Sequence, residues 1–66
     1  MDESPELRQL FHRLNNQLGI ILAHAELLEH KAEDDAHRAR AAQIVASALE
    51  AMGTAKEIRR ATSPTP

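Results

Sequence analysis

The sequence has no cysteine, tryptophan or tyrosine, and its one aromatic residue is Phe11. Without thiols it can form neither a disulfide nor a thiolate metal site. A formal charge of −2, with acids and bases interspersed, provides no basic stripe with stacking rings, so no nucleic-acid partner is expected. No apolar run approaches the ~20 residues that cross a bilayer. The acidic start Met1-Asp2-Glu3 is unlike a secretion signal, and the expectation is a cytoplasmic protein with no membrane partner. Glycine occurs only twice and β-branched residues are few, while alanine and leucine are abundant, a composition that favours helix over strand. Finally, 66 residues are too few to bury a core that offsets chain entropy alone. With disulfides and thiolate metals excluded, association is the remaining remedy.

The pattern gives an all-α chain. Ser4-Pro5-Glu6 reads as a helix start, with Ser4 as cap, Pro5 in the first turn and Glu6 at the positive end of the dipole. From there Leu7, Phe11, Leu14, Leu18, Ile21, Ala25, Leu28 and Ala32 recur at three- and four-residue steps along one face. Glu33-Asp34-Asp35 interrupts the stripe, and Asp34 or Asp35 can cap a second helix. The predicted single domain, 1–66, therefore has a helix over about 5–32, a bend at about 33–35, a second helix over about 36–61 and a tail at 62–66. The second helix has Ala41, Val45, Ala48, Leu49 and Met52 as its inner line, flanked by Ile44, Ala51, Ala55 and Ile58. That apolar arc of roughly 200° exceeds what one neighbour can cover. An antiparallel two-helix hairpin that pairs with itself as a homodimeric four-helix bundle buries both arcs through one self-complementary interface.

On this wheel His12 and Asn16 point outward, about 140° and 180° from the inner line and one turn apart. An exposed imidazole, titrating near neutrality and carrying a nucleophilic nitrogen, can accept and release a phosphoryl group. Ile20, Ala23 and Leu27 form a second outward group, apolar and below His12. Such a group suggests a contact surface, either for a partner or for dimer packing. His30 and His37 flank the bend, where solvation is the ordinary expectation. Counting back from the bend places Gly53 and Thr54 opposite His12.

The string from Phe11 to His30, FHRLNNQLGIILAHAELLEH, resembles the phosphoacceptor box of histidine kinase dimerisation and histidine-phosphotransfer (HisKA-like) domains. In that family a histidine is followed by an acid, an aliphatic residue, two polar positions often filled by Asn-Asn, and an aliphatic helix ending in Glu-Leu-Leu. His12, Leu14, Asn15, Asn16, Leu18, Ile21 and Glu26-Leu27-Leu28 fit. The resemblance implies that His12 is the residue phosphorylated and that Asn16 orients water in dephosphorylation of a partner. It also implies that a response-regulator receiver docks on the stretch holding Ile20, Ala23 and Leu27. Arg13 departs from the pattern, since it stands where the family has an acid and cannot act as a base.

There is no glycine-rich phosphate loop and no room for an ATP-binding domain, so the chain is not an autonomous kinase. It is expected to bind no cofactor itself, with ATP and Mg²⁺ entering only through a partner domain. Its expected partners are a second copy of itself, a receiver domain and an ATP-binding kinase domain acting in trans, whether it is a stand-alone module or an excised piece of a kinase. The expected function is phosphotransfer and dimerisation in two-component signalling. The alternatives are a non-catalytic dimeriser or response-regulator decoy, favoured by Arg13, and phosphatase support through Asn16.

Overall fold

The computed structural model describes residues 4–62. They form two helices, α1 over Pro5–Lys31 and α2 over Asp35–Thr62, joined by residues 32–34 and packed side by side as an antiparallel hairpin. No strand occurs among the described residues. The second helix takes in Thr62, whose hydroxyl donates to the carbonyls of Ile58 and Arg59, and the rest of the expected tail lies outside the described residues. Neither helix is long and apolar enough to cross a membrane.

Each helix starts with the cap that its sequence announces. Ser4 has extended backbone and its Oγ accepts from the Leu7 amide at 3.1 Å, with Pro5 in the first turn. At the bend, Asp34 rather than Asp35 caps α2, its Oδ1 accepting from the His37 amide at 2.7 Å. The His37 ring closes on the same carboxylate, with Nδ1 2.9 Å from Oδ1 and 2.7 Å from Oδ2. The His37 side chain is otherwise 81% exposed, in keeping with its expected solvation. Arg38 reaches back from α2 to donate to the Ala32 carbonyl at 2.9 Å, which satisfies an acceptor beyond the last turn of α1.

The contact between the helices keeps a seven-residue period. Phe11 and Ala25 are buried on α1, fourteen apart, with Leu18 half-buried midway; Ala41, Ala48 and Ala55 are buried on α2, each seven from the next. Helices crossing at a shallow angle keep such a line in register. Four of the five buried side chains are alanines, and Cα extents of 51 × 18 × 11 Å describe a single layer of two helices.

The inner stripe of α1 is therefore narrower than its apolar pattern. Leu14, Ile21 and Leu28 were expected inside, yet Ile21 is 48% and Leu28 60% exposed, while Asn15, Leu22 and Glu29 are half-buried. On α2, Leu49 leaves the expected inner line and is 54% exposed. The reason is geometric, because one cylinder against another covers a strip of each and the apolar arcs are wider than that strip.

The uncovered residues define a front. Two hollows open there, one lined by Leu28, Ala32, Arg40, Ala41 and Ile44 among others, the second by Leu14, Leu18, Thr54, Ala55 and Ile58 with Ala51. Their linings repeat at a fourteen-residue offset, as Leu14 and Leu28 or Ile44 and Ile58 show, so this is one face running the length of the hairpin. The back is marked by half-buried Asn15, Leu22 and Glu29 on α1, and by Val45 and Met52 on α2.

A Cβ added at Gly53 meets nothing within 4 Å, and its backbone is helical. Gly53→Ala should therefore stabilise the hairpin by about 1 kcal/mol, seen as a higher urea midpoint. The Asp34 carboxyl is held below its ordinary value, chiefly by the His37 amide, with the His37 ring and the Ala36 amide adding to it. A lowered folded-state value means that its contribution is complete above the ordinary carboxylate range and lost as pH falls through the lowered one. Asp34→Ala should melt earlier than the parent chain at pH 7, and the two melting temperatures by circular dichroism should converge in acid.

Candidate functional site

Among the described residues, Phe11 is the one large side chain that the hairpin buries, at 7% exposure. Its ring packs inward from α1, and the Arg59 guanidinium of α2 lies over it, 5.8 Å from the ring centroid. This contact joins the two helices at the open end of the hairpin. Thr54, expected opposite His12, instead shares a hollow with Leu14 and Leu18 on the front. Helix side chains lean toward their own N-termini, so across an antiparallel pair they meet partners further along than a count of Cα positions suggests.

His12, next to Phe11, is exposed, and no described side chain hydrogen-bonds its ring. Asn16 stands one turn further along and is exposed as well. The shift of the inner strip toward Asn15 and Leu22 turns both residues with it. His12 sits on the back shoulder of the groove between the helices, some 80° from the centre of the buried strip, and Asn16 is about 40° further out. Arg13 is exposed on the far flank, one residue or ~100° round from His12.

Among the described residues, the back shoulder carries cations at this level. Arg8, His12 and half-buried Asn15 succeed one another at four- and three-residue steps on α1, and half-buried Met52, Lys56 and Arg59 do the same on α2. These cations were not singled out by the sequence pattern, because the line that joins them shows only once burial has fixed the seven-residue register. Among the described residues, no group of three or more His, Cys, Asp or Glu side chains could hold a metal ion.

Ile20, Ala23 and Leu27 are exposed, as their spacing predicts. Ile20 and Leu27 are seven apart on the flank that carries Arg13, and Leu27 shares a hollow of about 290 Å³ with His24, Leu28 and Lys31. That hollow joins Leu27 to the front-face residue Leu28. Ala23 lies between the two surfaces, on the line of Asn16.

The chain matches no family model, and the searches of curated proteins and of solved structures give no match either.

Two substitutions separate the roles of adjacent residues here. Phe11→Ala should cost roughly 3 kcal/mol by removing the largest buried ring. His12→Gln should stay within about 0.5 kcal/mol of the parent chain, because its ring touches no partner. Urea denaturation of both variants checks this, and equal losses would mean that His12 has a structural role.

Proposed function

We propose that the chain is a phosphotransfer and dimerisation module in which His12 accepts a phosphoryl group from an aspartyl phosphate on a receiver domain. The supporting observation is the division of the hairpin into two unlike walls. One is an apolar front without a partner, and the other holds an exposed imidazole free of hydrogen bonds, with Asn16 one turn away. The phosphoacceptor-like string from Phe11 to Glu26-Leu27-Leu28 adds the family resemblance.

A second copy covers the front in this proposal. Leu14, Ile21, Leu28, Ile44 and Ile58 are each 37% exposed or more, and full burial of such a side chain stabilises by ~1.5–3 kcal/mol. Pairing two hairpins through this face gives a four-helix bundle with both His12 side chains on its outside. In the reaction the lone pair of an imidazole nitrogen attacks phosphorus in line with the leaving oxygen. The N–P bond forms, the P–O bond breaks, and its electron pair returns to the receiver carboxylate; the ring sheds its proton from the other nitrogen to water. Mg²⁺ and, for the kinase direction, ATP belong to the partner domains.

Arg13 favours a second function, a dimeriser or response-regulator decoy without phosphoryl chemistry, because it removes the acid that would assist transfer from ATP. Incubation with a phosphorylated receiver, and separately with an ATP-binding kinase domain, distinguishes the two. The expected result is acid-labile, base-stable phosphate on the parent chain and none on His12→Gln. Binding without transfer from any receiver supports the decoy. Receiver dephosphorylation without labelled hairpin, abolished in Asn16→Ala, supports phosphatase action. For the bundle, sedimentation at tens of micromolar should give a dimer, and Ile21→Glu with Ile58→Glu a monomer of lower helicity.

A further inference from the structure

We infer that Arg13 pairs with Glu57 of a second copy on both rims of the dimer, and that these two bridges orient the hairpins with their bends at the same end. Arg13 is the residue that departs from the phosphoacceptor pattern, and phosphoryl transfer from a receiver gives it no task. It is exposed, and no carboxylate stands three or four residues from it on α1. Glu57 is exposed on α2, with Arg60 three residues beyond it.

The hollow nearer the open end joins Leu14 of α1 to Ile58 of α2, so these residues stand at one level of the front. The hollow at the bend joins Leu28 to Ile44 in the same way, and Ile21 and Ala51 fall midway. Arg13 and Glu57 immediately precede Leu14 and Ile58, which turns each ~100° round its helix, away from the seam. They mark the two outer edges of the front at that level, on opposite sides of the hairpin.

A second hairpin laid face to face on this front has two twofold arrangements. With the axis along the hairpin, the bends lie together and α1 of one copy lies over α2 of the other. Leu14 then meets Ile58, Ile21 meets Ala51 and Leu28 meets Ile44, and each edge brings Arg13 of one copy to Glu57 of the other. With the axis across the hairpin, α1 lies over α1 and α2 over α2, reversed about the level of Ile21. Arg13 then meets the edge at Leu27, and Glu57 the edge at Gln43. Charge is matched at this edge in the first arrangement alone. The first also sets a large side chain, Ile21, against a small one, Ala51, where the second sets like against like. At the bend it brings Lys31 level with Arg40 of the other copy, where Glu33 lines the same hollow as both. Exposed bridges of this kind add little affinity and act mainly on orientation.

The inference rests on a second copy covering the front, and its test separates the two by sedimentation of charge-reversed chains. In Arg13→Glu both edges carry two acids, and in Glu57→Arg both carry two cations. Each chain alone should dimerise about tenfold more weakly than the parent at ~0.05 M salt, and the loss should shrink at ~0.5 M. An equimolar mixture restores opposite charges on both edges and should dimerise within about twofold of the parent. The chain has no cysteine, so single cysteines report the arrangement directly. Ile21→Cys mixed with Ala51→Cys should form a disulfide between the two chains under mild oxidation, and Ile21→Cys alone should form none.

A parent chain that stays monomeric at tens of micromolar overturns the pairing and this inference with it. A dimer that is indifferent to the two reversals, or that the mixture does not restore, overturns the bridges while the pairing stands. A disulfide formed by Ile21→Cys alone overturns the orientation.

Discussion

The contact line in which Ala41, Ala48 and Ala55 face Phe11, Leu18 and Ala25 governs the rest of the molecule. Alanines let α2 lie close to α1 along its whole length, and they cost no side-chain entropy when buried. They also bury little apolar surface. A hairpin seamed mainly by methyl groups has well-defined geometry but modest stability, and its larger side chains are left to either side of the seam. The apolar front therefore arises from using small residues where a self-sufficient hairpin would place leucines.

Much of this was legible in the sequence because it depends on local chemistry. Ser4 and Pro5 fix the start of α1, and Asp34, one of the two expected caps, the start of α2, each through backbone groups within a few residues; the bend, expected at about 33–35, lies at 32–34. The exposure of His12, Asn16, Ile20, Ala23 and Leu27 was legible too, since a helical wheel is a local construction. What the pattern could not divide was the wide apolar arc. Leu28 and Ala32 both fit the inner stripe, yet Leu28 is exposed and Ala32 half-buried, because the choice depends on where the second helix lies against the first. That azimuth also moved His12 from the far side to the shoulder of the groove, and with it came Lys56 and Arg59, forty-four residues or more distant in the chain.

The two walls impose different demands on substitution. On the front, apolar residues at a fourteen-residue repeat provide area without chemistry, which suits a self-complementary partner. On the back shoulder, the middle of the strip is Gly19, Leu22, Val45 and Leu49, with cations toward the open end and acids toward the bend. Leu27 shares a hollow with Leu28 of the front.

The single aromatic residue then has a role that its burial alone does not describe. An isolated Phe in a seam of alanines could pack at any level; here it lies beside the histidine and under an arginine from the opposite helix. The buried ring offers its face to the guanidinium. A flexible aliphatic side chain could fill the volume but would not hold a cation at a fixed level. The ring thus ties the seam to a cation of the opposite helix at the level where His12 follows it in the chain.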